Sequence, residues 1–172
     1  MTGEVPGHKE VRRIVVLGCA GSGKTIFARR VAERIGQPAI CLDDLVEQLG
    51  AENSTPALRN LIAATHAGDG WVSDGNFAQV SFDLRLPRAD LIVWLERSRL
   101  LCLWGACTRV FRRGEQHSFS NLSRVLAYIW NFDRVNRPII EAERLAHGSH
   151  VPVTRLGRRS EIAVFLESFQ AG

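Results

Sequence analysis

Residues 18–25 read Gly-Cys-Ala-Gly-Ser-Gly-Lys-Thr and fit G-x-x-x-x-G-K-[ST] at every fixed position. Each residue type answers to the same chemistry, the holding of a polyphosphate. Glycines at 18, 21 and 23 let the backbone turn tightly, so that N–H groups from Gly18 through Ala20, Gly21, Ser22 and Gly23 to Ile26 face phosphate oxygens. The periodic segment that follows starts a helix at about Lys24, whose positive end faces the anion. Lys24 has the length to reach the β- and γ-phosphates, and the Thr25 hydroxyl is a ligand for Mg²⁺. ATP with Mg²⁺ is the implied cofactor pair.

Such a loop needs a strand before it and a helix after it. Val11 to Leu17 is a short run rich in β-branched residues and reads as a buried strand. Lys24 to Ile35 has helical apolar spacing, and Gly36 and Pro38 end it. Further strands are expected at 39–42, 71–73, 91–95 and 150–156. Helices are expected at 43–49, at 56–66 with Ser54 or Thr55 as cap, at 98–111, at 120–145 with a kink or break at Pro138, and from a Ser160 cap to Phe169. Residues 75–88 read as a loop with some local structure. Strands alternating with helices predict βαβ units on a parallel sheet.

The phosphate loop alone does not choose among kinase, switch and motor. Four other motifs narrow the choice: Cys41-Leu-Asp-Asp44, Trp71-Val-Ser-Asp-Gly-Asn76, Pro87-Arg-Ala-Asp-Leu-Ile-Val-Trp-Leu95 and Tyr128-Ile-Trp-Asn-Phe132. In this order they resemble the adenylate-kinase-like P-loop kinases, and among these the bacterial topology-modulation (FlaR-like) small kinases. The resemblance runs from about Val11 to Phe169. It implies a three-layer α/β/α fold with a five-stranded parallel sheet in order 2-3-1-4-5, a short lid at about 112–119, and transfer of the γ-phosphoryl group of Mg·ATP to a small molecule.

The resemblance also implies roles. Asp74 would hold Mg²⁺ through water. Asp43 would orient the acceptor or accept its proton, with Asp44 beside it, although both also lie where a helix N-terminus attracts carboxylates. Asn76 would bind the acceptor or form a turn. Arg85 and Arg88 would contact the acceptor or cap the sheet edge. Arg109 and Arg113, four apart on one helix face, would stack on adenine and close over the phosphates; a solvated basic face is the other reading. Arg134 and Arg137 are further candidate cations, and Gly157 and Arg158 are candidates for contact with the adenine. The chain departs from adenylate kinases proper in three places. It has Asp74-Gly-Asn-Phe-Ala where they have D-G-F-P-R, it lacks their AMP-binding threonine and arginine, and its lid is short, so AMP is not the expected acceptor.

The remaining features bound the possibilities. At 172 residues the chain suits one domain over 11–172 behind a disordered leader over 1–10. No apolar stretch is long enough to span a bilayer, and residues 1–10 lack a signal-peptide core, which places the protein in the cytoplasm. The four cysteines show no C-x-x-C pair and the five histidines no metal-ligand spacing. A net charge of +4 suits an anionic partner. That keeps open a nucleotide-dependent regulator or nucleic-acid-binding protein without kinase turnover, although the basic residues form no arm. The assembly is expected to be a monomer or a homodimer.

Overall fold

Five strands form one sheet, entirely parallel, in the order β2-β3-β1-β4-β5. They are β1 (Arg13–Gly18), β2 (Ala39–Cys41), β3 (Trp71–Asp74), β4 (Leu91–Leu95) and β5 (Val153–Leu156). The computed structural model describes residues 11–113 and 118–169, and for 109–113 and 118–121 it describes the backbone alone. The expected leader and the centre of the expected lid lie outside these residues. Among the described residues no helix is long and apolar enough to cross a membrane.

The strands are short runs of Val, Ile, Leu and Trp because both faces of the sheet are covered. Their alternation sorts side chains into two layers. Ile14, Val16, Val72, Leu91, Val93 and Leu95 pack with Phe27, Ala28, Val31 and Ala32 of α1 (Lys24–Ile35) and with Phe165 and Leu166 of α8 (Arg159–Glu167). Val15, Leu17, Trp71, Ile92 and Trp94 point the other way. There they meet α2 (Leu42–Leu49), α3 (Thr55–Thr65), α4 (Ala78–Arg85), α5 (Arg99–Arg113), α6 (Ser118–Asn131) and α7 (Arg137–Gly148). Fully burying each of these aliphatic side chains is worth about 1.5–3 kcal/mol.

Local signals set most boundaries. Gly36 closes α1 in the left-handed conformation at φ 64°. The Ser54 hydroxyl accepts the Ala57 N–H at the start of α3, with Pro56 in the first turn. Pro138 does split the long helix. Its ring cannot sit on a regular turn, and a π-helical stretch, Phe132–Asn136, separates α6 from α7.

Two boundaries differ from the sequence reading. The last helix is capped by the Glu161 carboxylate, which accepts the N–H groups of Gly157 (2.8 Å) and Arg158 (3.0 Å), and not by Ser160. Residues 78–85, read as loop, are the helix α4. It has no side-chain cap, and its first boundary residue, Phe77, holds φ 25°. Buried Ala78, Phe82 and Leu86 hold it in place, a tertiary cause with no local sequence signature.

Candidate functional site: a phosphate loop and its buried carboxylate

The C-terminal ends of β3, β1 and β4 lie side by side, with Val16 opposite Asp74 and Gly18 opposite Leu95. Residues 18–24 leave β1 at that edge and enter α1 at Lys24, so the helix N-terminus opens onto the loop. The loop is braced from outside by α5. A Cβ at Gly21 would lie 2.1 Å from the Cys102 carbonyl oxygen, and one at Gly105 would lie 2.4 Å from the Gly21 oxygen. Gly21 also holds φ 76°, so no other residue fits there without moving the helix. The Lys24 ammonium donates to the Cys19 carbonyl at 3.0 Å, folded over the loop it belongs to.

Thr25, one turn into the motif, donates its hydroxyl to Asp74 Oδ2 at 2.5 Å. Asp74 is 3% exposed, and its other oxygen, Oδ1, is buried without a hydrogen-bond partner in the structure. A buried carboxylate oxygen left unsatisfied is costly unless a cation or its water completes it. Beside it is a cavity of about 40 Å³, lined in part by Thr25, Arg29, Cys41, Asp44 and Asp74, with room for a water-sized group. The Cys41 thiol lies 3.8 Å from Asp74 Oδ2, and burial pushes its pKa up, so it stays protonated. Hydroxyl, buried carboxylate and water-sized space are a donor set suited to a hard, hydrated Mg²⁺ completed by phosphate oxygens. Among the described residues no cluster of three or more His, Cys, Asp and Glu side chains forms an all-protein metal cage.

Asp74 is positioned by a buried polar network that the sequence did not reveal. The turn after it needs Gly75, which holds φ 132° and whose Cβ would lie 2.9 Å from Leu42 Cβ. Asn76 then folds back on the loop. Its Nδ2 donates to the Gly18 carbonyl (3.0 Å) and to the Tyr128 hydroxyl (3.1 Å), and its Oδ1 accepts the Gly18 N–H (3.2 Å). Its amide is committed to holding the first glycine of the loop.

Arg85 is not at an open acceptor face. It is fully buried, donating to the carbonyls of Gly75 (2.8 Å) and Asn76 (3.2 Å) and to Ser73 and Ser81. The two carbonyls have no strand to bond, and the guanidinium of α4 satisfies them. Burial lowers the Arg85 pKa to about 9, and the charge of Asp74 partly offsets that. The chain of bonds continues to His66, 1% exposed, whose Nε2 lies 2.8 Å from Ser73 Oγ and Nδ1 2.7 Å from the Ile62 carbonyl. The carbonyl requires a proton on Nδ1, so Nε2 accepts from Ser73. Burial, then the charge of Arg85, lowers the His66 pKa to about 4, which keeps it neutral. Arg88 donates to the carbonyls of His66, Ala67 and Gly68 and closes the end of α3.

Asp43 and Asp44 both lie exposed in the first turn of α2, and neither side chain caps it. Asp44 pairs with Arg29 at 3.7 Å and borders the small cavity beside Asp74. Burial holds the Tyr128 hydroxyl protonated, and the charge of Asp43 adds slightly to that.

A second cleft, of about 470 Å³, is lined by Gly21, Ser22, Gly23 and Ile26, by Leu101, Trp104 and Thr108 of α5, and by Arg97 and Arg159. Trp104 is 64% exposed and Ile26 63%. An aromatic face at the mouth of a phosphate loop is a surface on which a base stacks. The sequence signal for Trp104 was an apolar aromatic at a position of α5 that the core does not need.

The side chains of Arg109 and Arg113 lie outside the described residues. Arg137 pairs with Glu96 and Asp133, which commits it to the sheet edge, while Arg134 and Arg158 are exposed.

No family model matches the chain, and no curated protein matches it by sequence. Solved structures do match it by shape. A shikimate kinase from Bacteroides thetaiotaomicron aligns over 93% of this chain and 97% of its own at 17% identity, with a TM-score of 0.55. A shikimate kinase from Acinetobacter baumannii, solved with shikimate, aligns over 93% and 92% at 14% identity, with a TM-score of 0.58. An uncharacterized protein from Eubacterium ventriosum aligns over 94% and 100% at 12% identity, with a TM-score of 0.50. The chain has the P-loop kinase fold. At these identities the likeness is one of fold, and it confirms the expected three-layer architecture and strand order.

Proposed function

We propose that this protein is a P-loop phosphotransferase that moves the γ-phosphoryl group of Mg·ATP to a small-molecule acceptor. The observation that carries this reading is the pairing of Thr25 with the buried Asp74, one of whose oxygens awaits a partner, directly beneath a complete phosphate loop. The motifs 41–44, 71–76, 87–95 and 128–132 support a place among the topology-modulation-like small kinases, while the structural neighbours support only the coarser reading of a P-loop kinase fold.

The chain's own residues divide the work. Loop N–H groups and Lys24 bind and orient the phosphates. Thr25 and Asp74 would hold Mg²⁺, which supplies charge neutralisation between the β- and γ-phosphates. Trp104 and Ile26 would seat the base, and Arg97 lines the same cleft. Asp43, exposed in the first turn of α2, would orient the acceptor hydroxyl and take its proton. Arg109 and Arg113 would close from α5 and offset charge on the transferring group, excluding water as they do so. Asn76 and Arg85 position the machinery from below without touching substrate.

The test is ATP consumption across a panel of nucleosides, nucleotides and small alcohols, with Lys24→Ala as the paired variant. Acceptor-dependent turnover is expected in the wild type and a loss of about 10³-fold or more in Lys24→Ala at unchanged fold. Wild-type turnover in that variant would sink the mechanism.

A further inference from the structure

Cys19 is the second residue of the phosphate loop, and Cys102 lies in the first turn of α5. The two thiols are free and buried, and each is influenced by the other, while the Cys102 thiol donates to the Arg97 carbonyl at 3.8 Å. Both border a cavity of about 320 Å³ that is separate from the base cleft and walled by Ile129, Phe132 and Trp94. The positive charges of Lys24 and Arg97 reach the pair. The influence of each thiol on the other lowers the Cys102 pKa and raises that of Cys19, with burial opposing the first and reinforcing the second. One sulfur is thus the readier thiolate, and the other keeps a proton to give away. That division suits a nucleophilic thiol and its resolving partner.

We propose that Cys19 and Cys102 form an oxidation site, at which a peroxide joins them in a disulfide that ties the phosphate loop to α5 and shuts off nucleotide binding. The inference rests on the nucleotide-binding reading of the loop. In the first step the Cys102 thiolate attacks one oxygen of hydrogen peroxide. The O–O bond breaks, giving a sulfenic acid and hydroxide. In the second step the Cys19 sulfur displaces the sulfenic oxygen, which leaves as water with the Cys19 proton. Two thiols and one peroxide become one disulfide and two waters, a two-electron change. A disulfide holds its sulfurs about 2 Å apart, well inside the separation of two unjoined thiols. The α5 backbone has no slack against Gly21, so Cys19 and Ala20 must move, and their N–H groups belong to the loop that faces the phosphates.

The experiment uses the full chain, treated with hydrogen peroxide, desalted and titrated with Mg·ADP by calorimetry. Intact mass and peptide mapping are run on the same sample. Expected are loss of two hydrogens, a Cys19–Cys102 linked peptide, and Mg·ADP affinity weaker by about tenfold or more, restored by dithiothreitol. Cys102→Ala, or Cys102→Ser if the first is unstable, is expected to bind Mg·ADP normally and to keep that affinity after peroxide. A linked protein that binds Mg·ADP as well as the reduced one overturns the proposal, as does the absence of this link. An equal loss of affinity in the Cys102 variants also overturns it. A reduced wild type that does not bind Mg·ADP overturns the nucleotide-binding reading as well, which separates the two failures.

Discussion

Strands β2 and β3 run side by side, Cys41 opposite Asp74, and each delivers carboxylates at its C-terminal end. The two ends are built in opposite ways. Asp74 is buried, bonded to Thr25, and held by a turn whose carbonyls are fixed by a buried arginine. Asp43 and Asp44 stand exposed at the start of α2, with Asp44 in a long ion pair whose partners are both about 60% exposed. An exposed pair of that kind contributes little to stability. On the proposed phosphotransferase reading, the first region serves the donor and the second the acceptor, and the contrast matches what phosphoryl transfer would ask of each. Donor chemistry is the same in every turnover and rewards rigid pre-organisation. An acceptor face must admit and release a molecule, and exposed carboxylates on a helix start allow that.

The comparison can be broken at several points. Asp74→Asn should cost the most, about 10²–10³-fold in kcat with Mg²⁺ dependence shifted to higher concentration; steady-state kinetics across a Mg²⁺ series would check it. Near-normal kinetics would remove the donor side's central residue. Arg85→Met should destabilise the fold by about 3–4 kcal/mol in denaturant unfolding, because it strands the carbonyls of Gly75 and Asn76 in the interior. A change below 1 kcal/mol would mean that the turn does not depend on the guanidinium.

His66 gives a pH test of the same network. Its folded pKa of about 4 lies below the 6.5 of the free side chain, so the unfolded chain takes up the proton first. Stability from the neutral imidazole is complete above pH 6.5 and falls as the pH drops toward 4, by at most about 3 kcal/mol. In His66→Gln that part of the acid slope should vanish, as read from urea midpoints between pH 4 and 7. On the acceptor side, Asp43→Asn should lower turnover by about tenfold while leaving Mg·ADP affinity unchanged. Weakened nucleotide binding in that variant would erase the distinction between the two regions.

Much of the donor side could be read along the chain. The loop, Thr25 and the strand ending in Asp74 are contiguous motifs, the alternation of strands with helices gave the parallel sheet, and the family resemblance gave its strand order. What supports them was harder to read. Arg85 read as an acceptor contact or a cap on the sheet edge because a single arginine in an uncapped segment carries no mark of burial. It is buried because two carbonyls ten and nine residues upstream lack other partners. Asn76 looked like a substrate ligand or a turn residue. Its true partner, Gly18, is 58 residues away, a relation fixed by strand order and by no local pattern. Trp104 carries no local mark of a binding role, because only the packing of α5 against the loop puts it on the cleft. Asp43 and Asp44 are adjacent and chemically identical, and only the turn of α2 sets Asp44 against Arg29 and the small cavity beside Asp74.

The most direct test of the phosphotransferase reading is phosphorus NMR of Mg·ATP incubated with the protein and each member of an acceptor panel. The account predicts a phosphoester signal that grows in step with ADP for at least one acceptor, and that is absent in Lys24→Ala and without Mg²⁺. Release of inorganic phosphate alone, or turnover that persists in Lys24→Ala, would contradict it.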